Sequence, residues 1–137
     1  MSCVSALIVV RLDAQTPGPV RLLARFAYDD RDPFAVRATF FDGSTVLARW
    51  HFDRQMLADG LHRPVGVGDV AFRPCRGAGV DELRVTLRAS GAGQGHKAVL
   101  LVDARALRVF LEQTYAVTGA GEEFLDLDAL LEELLAR

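Results

Sequence analysis

From Val20 to Phe52, apolar residues recur at every second position in three runs, and only turn chemistry separates the runs. A two-residue period sends alternate side chains to opposite faces of a strand, so a chain with this pattern builds a sheet with one face toward a core. Val20, Leu22, Ala24, Phe26 and Tyr28 make the first apolar face, against Arg21, Leu23, Arg25 and Ala27 on the other. Asp29, Asp30 and Asp32 then supply short side chains that bond nearby backbone in turns, while Pro33 fixes its own φ and biases Asp32 toward extended geometry. The stretch RDPFAVRATF, residues 31–40, therefore turns the chain and relaunches it. Beyond it Phe34, Val36, Ala38 and Phe40 share one face and Ala35, Arg37, Thr39 and Phe41 the other. Asp42-Gly43 is a hairpin signal. On the returning strand Val46, Ala48, Trp50 and Phe52 are expected inward, with Arg49 and His51 outward.

The remaining elements follow from the same rules. Val4–Leu12 reads as a first strand, ended by Gln15-Thr16-Pro17-Gly18-Pro19, which cannot continue a ladder. Asp53 is placed to cap a short helix, Arg54 to Asp59, closed by Gly60 in a left-handed position. Two further strands, Asp69 to Arg73 and Glu82 to Ala89, are separated by Pro74 to Gly79, and Gly91 to Gly95 turns the chain into Lys97 to Val102. Asp103 caps a helix whose Ala104, Leu107, Phe110, Leu111 and Thr114 recur at helical spacing, with Arg108 and Glu112 set for an i,i+4 pair. After Gly119 and Gly121, Asp126 caps a second helix with Leu127, Leu130, Leu131, Leu134 and Leu135 in an apolar stripe that reads as core packing, and Leu125 with Leu130 as a hydrophobic staple. The expected class is α+β: about seven mainly antiparallel strands in a barrel-like body, one short internal helix and two C-terminal helices.

Length and charge bound what such a fold does. A chain of 137 residues fits one domain, residues 1–137, around one core. Net charge is −2, which favours neither nucleic acid nor an anionic membrane surface in bulk. The charge is uneven: residues 1–111 carry 15 basic and 11 acidic groups, residues 112–137 one and seven. The longest apolar runs, Ala6–Val10 and Ala98–Val102, fall far below the ~18 residues of a membrane span. No signal-peptide pattern opens the chain, and two cysteines, Cys3 and Cys75, make no disulfide framework, so a reducing cytoplasm is expected.

Each candidate for chemistry has a structural reading that fits better. Gly91-Ala92-Gly93-Gln94-Gly95-His96-Lys97 looks like a phosphate cradle, but it joins two strands and lacks the helix N-terminus that a phosphate loop needs. Gly66-Val67-Gly68-Asp69 reads as a turn into the next strand. His51, His62 and His96, with Cys3 and Cys75, lack zinc-ligand spacing, and Cys75 reads as a small buried hydrophobe rather than a nucleophile. The Asp29, Asp30, Asp32 cluster lacks the calcium-loop spacing ending in a bidentate Glu. Arg21, Arg25, Arg37, Arg49, Arg84 and Arg88 make one cationic sheet face, expected to pair across strands or with the acidic tail. Single-strand nucleic-acid binding is the alternative. It is disfavoured because Phe26, Phe34, Phe40, Trp50 and Phe52 fall on the apolar faces and only Phe41 on the arginine face. No catalytic, cofactor-binding or metal residues emerge, and partner-binding residues are not identifiable.

Four stretches at fixed spacing carry a resemblance: Arg31–Phe40, WHFDRQMLADG at 50–60, LHRPVGVGDV at 61–70, and FLDLDALLEELL at 124–135. Together they resemble the SsgA-like proteins of actinomycetes, closest to the SsgB type. The resemblance implies a Whirly-like fold, assembly as a homotrimer, and a non-enzymatic regulator of sporulation-specific cell division that helps position FtsZ at septa. It implies no cofactor, no metal, no small-molecule substrate and no membrane insertion, and a location in the cytoplasm at the division septum.

Overall fold

The structure, a computed structural model, describes residues 2–13, 20–76, 79–89, 96–123, 131–132 and 134–136. Eight antiparallel strands form one curled half-barrel sheet: β1 (Cys3–Leu12), β2 (Val20–Asp29), β3 (Ala35–Asp42), β4 (Thr45–Asp53), β5 (Val65–Val67), β6 (Val70–Arg76), β7 (Asp81–Ala89) and β8 (His96–Asp103). Their order is β4-β3-β2-β1-β8-β7-β6-β5, two meanders joined where β1 pairs with β8. Helix α1 (Arg54–Gly60) follows β4 and reaches β5 and β6, while α2 (Ala104–Val117) lies over β1, β7 and β8. The inner face and the two helices enclose the core, in which Phe26 meets Phe110 at 6.0 Å and Phe52 meets Phe72 edge-on at 5.2 Å.

Local chemistry explains the element ends. The turn from Asp29 to Phe34 is held by Arg31 N–H donating to Asp29 Oδ1 and Asp32 N–H to the Asp29 carbonyl, with the buried Tyr28 hydroxyl donating to the Pro33 carbonyl at 3.1 Å. Asp53 accepts from Met56 N–H and Asp103 from the amides of Arg105 and Ala106, so both expected N-caps are formed. Gly43 takes φ +62° in the β3–β4 hairpin, a conformation that costs glycine least.

The structure corrects several expectations. Among the described residues there are eight strands, because Val65–Val67, which overlaps the expected Gly66–Asp69 turn, pairs with Val70–Phe72. The turn itself is only Gly68-Asp69. Phe34 lies in the turn before β3 and is exposed, so it does not continue the inner face of Val36, Ala38 and Phe40. A bulge between Phe40 and Phe41 pairs Phe40 with Ala48 but Phe41 with Val46. One extra residue, Leu47, shifts the alternation, and Val46 moves from the inner to the outer face.

Pro74 and Cys75 belong to β6 rather than to a loop; they fall beyond Phe72, the last residue on the β5 side, where β6 has one neighbour and tolerates a residue without an N–H. Gly60 ends α1 without a left-handed conformation. Its missing Cβ would lie 2.5 Å from Phe72 Cβ, so close approach demands the glycine there. Arg108 and Glu112 form no ion pair and both stay exposed.

Residues 131, 132, 134 and 135 are helical, but Leu131, Leu134 and Leu135 are exposed rather than packed, because α1 and α2 already cover the inner face. The Asp126 cap, Leu125, Leu127, Leu130, the Gln15–Pro19 turn and the Gly91–Gly95 loop lie outside the described residues.

Candidate interaction surfaces

Helices α1 and α2 lie on the inner side of the sheet. On the outer face the register aligns Val46, Phe41, Leu23 and Val9 in one row across β4, β3, β2 and β1. Leu7 and Val9 are 58% and 57% exposed. A contiguous apolar row on an unburied sheet face costs solvation and marks a contact surface. Cations rim it: the adjacent row carries Arg49, Thr39, Arg25 and Leu7, and the Arg25 guanidinium sits 5.7 Å from the Phe41 ring centroid. Arg21 lies beyond the row, directly opposite Arg11.

Among the described residues none of Arg21, Arg25, Arg37, Arg49, Arg84 and Arg88 forms an ion pair, contrary to the expectation that they pair across strands or with the acidic tail. The outer-face pair that does form is Arg11 with Glu82, two strands away, at 2.5 and 2.7 Å to the two carboxylate oxygens. That contact raises the Arg11 pKa.

Two openings reach the inner side. A gap of about 510 Å³ between β4 and β5, the two edges of the half barrel, is bridged by α1 and lined by Phe52, Met56 and Val70. An apolar mouth of about 210 Å³ lies between Phe40, Leu47 and Trp50 on one side and Leu87 and Leu100 on the other. Strand β4 is an edge over nine residues, with ladder groups available to another strand.

By sequence Arg54 is only the first helical residue of α1, and the structure gives it a larger role. Its side chain is 1% exposed. Nη1 donates to the Thr114 and Thr118 carbonyls at 3.1 and 2.9 Å, and Nη2 to Glu123 Oε1 at 2.6 Å. The guanidinium lies 3.9 Å from the Tyr115 ring centroid and 4.9 Å from that of Tyr28, the chain's two tyrosines. It thus satisfies carbonyls at the C-terminal end of α2, where a cation also meets the negative end of the helix dipole. Its hydrogen bond holds the Glu123 carboxyl below the usual carboxylate range, and burial pushes the Tyr115 hydroxyl up. The clamp fixes where the chain leaves α2 toward the acidic C-terminal segment. A cation four residues into WHFDRQ, with no partner in sequence, gave no signal of this; the two tyrosines and Glu123 are distant along the chain.

The other singled-out residues do not converge. Cys3 is exposed and Cys75 half-buried, both are free thiols, and no hydrogen bond joins Cys75 to a histidine. His51 and His62 are exposed. Among the described residues no three His, Cys, Asp or Glu side chains group as metal ligands, and no helix is long and apolar enough to cross a membrane.

Comparison with known proteins accounts for this architecture. Residues 22–123 match the family described as Streptomyces sporulation and cell division protein, SsgA. The sporulation-specific cell division protein SsgB of Streptomyces coelicolor is 39% identical over 135 residues, covering 97% of this chain and 96% of that protein. An SsgB structure described with mutations that correlate to longitudinal cell division during sporulation of S. coelicolor superposes with TM-score 0.79 at 36% identity, over 89% of this chain and 93% of that one. The SsgA-like sporulation-specific cell division protein of Thermobifida fusca superposes with TM-score 0.84 at 30% identity, over 96% and 95%. With matches this long in both sequence and fold, the chain belongs to the SsgA-like family of sporulation and cell division proteins.

Proposed function

We propose that this protein is a non-enzymatic scaffold of sporulation-specific cell division, a single domain that assembles as a trimer and helps position FtsZ at the septum from the cytoplasmic side. The observation that carries the reading is the outer sheet face, whose exposed Val9, Leu23, Phe41 and Val46 row, with Leu7 in the row beside it, is built for contact rather than for a core. Family membership supports the division context, because the relatives are named as sporulation-specific cell division proteins. The free edge of β4 offers a second means of joining copies, by strand addition.

Co-sedimentation with GTP-assembled FtsZ from the same host tests the proposal. The wild-type protein pellets in saturable proportion, and Leu7→Asp with Val9→Asp abolishes pelleting while leaving the far-ultraviolet circular dichroism unchanged. Light scattering after size exclusion reports the trimer separately. A protein that stays in the supernatant at saturating filament sinks the FtsZ assignment, and a monodisperse monomer sinks the trimer.

A further inference from the structure

At the end of the sheet away from the apolar row, the outer face changes character. The row Gly66, Ala71, Thr86, Val99 crosses β5, β6, β7 and β8 with small or short side chains. At Gly66 an added Cβ would crowd the Val70 carbonyl oxygen at 3.2 Å and Ala71 Cβ at 3.3 Å. On one side of this low floor Arg73 stands directly opposite Arg84, and on the other Arg88 stands directly opposite Lys97. The result is a cleft of about 550 Å³ with two cationic walls. Arg84 and Arg88 are four residues apart on one strand, so the walls are about 13 Å apart along it.

Like charges placed directly opposite across strands destabilise a sheet, and here two such pairs flank one floor. Among the described residues no ion pair involves Arg73, Arg84, Arg88 or Lys97. Glu82, which shares a strand and a face with Arg84, gives both its oxygens to Arg11. The β6–β7 and β7–β8 connections, residues 77–80 and 90–95, contain no Asp or Glu, and the acid beside the Arg88 wall is Asp69, whose backbone carbonyl accepts from Arg88 N–H at 2.9 Å.

We propose that this cleft is a binding site for a soluble, multiply phosphorylated small molecule. A phosphate offers three acceptor oxygens and up to two charges in the geometry that guanidinium forks match, and so suits a wall of two cations better than a singly charged carboxylate does. Two such walls call for at least two phosphate groups on one ligand. The cleft presents no aromatic ring for a base to stack on, since Phe72 is 1% exposed with its side chain in the core, so the recognition is of phosphate and not of nucleobase.

Isothermal titration of the full-length protein with inorganic tripolyphosphate and with orthophosphate tests the site. Tripolyphosphate binds with one-to-one stoichiometry, at least about tenfold tighter than orthophosphate, and weakens as salt rises. Arg84→Gln and Arg88→Gln each weaken it by about tenfold or more, while without ligand their melting temperatures equal or exceed wild type because a like-charge pair has been relieved. Arg49→Gln, on the same face but outside the cleft, changes affinity by less than about twofold. Absence of saturable binding overturns the proposal, as does an equal loss in Arg49→Gln, which would show only a diffuse cationic surface. Vesicles with a multiply phosphorylated headgroup, or a single-stranded oligonucleotide, displace tripolyphosphate no better than orthophosphate does at equal phosphate. Stronger displacement by either would move the ligand to a membrane or to nucleic acid and overturn the assignment to a soluble one.

Discussion

Replacing Arg54 by methionine tests how α1 is tied to the C-terminal end of α2. Methionine keeps an unbranched stem of similar reach, so little cavity forms between Tyr28 and Tyr115. What is lost is specific: two hydrogen bonds to the Thr114 and Thr118 carbonyls, the bond to Glu123, and two ring contacts. Thr114 is fully buried; its carbonyl keeps the Thr118 N–H but loses its charged donor, a bond worth about 1.5–3 kcal/mol. Each ring contact contributes a further ~0.5–2 kcal/mol. Opposing these is the desolvation of the guanidinium, whose Nε has no partner. Relief of that desolvation offsets part of the lost contacts and brings the expected net loss for Arg54→Met to ~2–4 kcal/mol. Against a domain stability of about 5–15 kcal/mol this is a large fraction. Urea unfolding followed by fluorescence of Trp50, the single tryptophan, measures it. Glu123→Gln loses less, because Arg54 retains both carbonyls. An Arg54→Met protein within about 1 kcal/mol of wild type, or more stable, would refute the reasoning by showing that burial of the guanidinium costs as much as its contacts return.

Three further perturbations probe the same core. Gly60→Ala gains about 1 kcal/mol of helix propensity but drives a Cβ into Phe72, and is expected to lower stability by ~1–2 kcal/mol net; a rise in melting temperature would show that Phe72 yields. Tyr28→Phe keeps the ring beneath Arg54 and leaves the Pro33 carbonyl unpaired, for a loss of about 1–3 kcal/mol in urea unfolding; an unchanged midpoint would mean water replaces the hydroxyl. The Arg31 guanidinium, opposed by burial and aided by the Arg31 amide, holds Asp29 at about 2 against an ordinary 3.8. A depressed folded-state pKa stabilises above the unfolded value, so this contribution is complete above pH ~4 and disappears as pH falls through about 2. Melting curves between pH 5 and 2 should therefore fall more steeply for wild type than for Asp29→Asn, and parallel curves would remove Asp29 from the acid response.

Elements whose signals are local were legible in the sequence. The alternation in β2 and β3, the caps at Asp53 and Asp103 and the Asp42-Gly43 hairpin each depend on residues within one turn or strand of each other. Val46 was misplaced because a bulge is set by the pairing of two strands, and a single strand's alternation carries no trace of it. Gly60 was assigned the wrong reason for the same kind of cause: a glycine spared for a neighbour 12 residues on looks, in sequence, like one spared for its own dihedral. The exposed leucines at 131, 134 and 135 matched a core stripe by period, but period does not reveal that the core was already covered.

The candidate surfaces divide in the same way. The sequence alone determined that one sheet face would carry arginines and the other a core, since face follows from residue parity. Only the tertiary structure decided that Val46, Phe41, Leu23 and Val9 stand in one row, that Arg73 meets Arg84 and Arg88 meets Lys97, and that Arg54 turns inward between two tyrosines. Parity is a property of one strand, fixed by backbone geometry, whereas register and burial depend on distant segments whose pairing is a compromise reached by the whole chain.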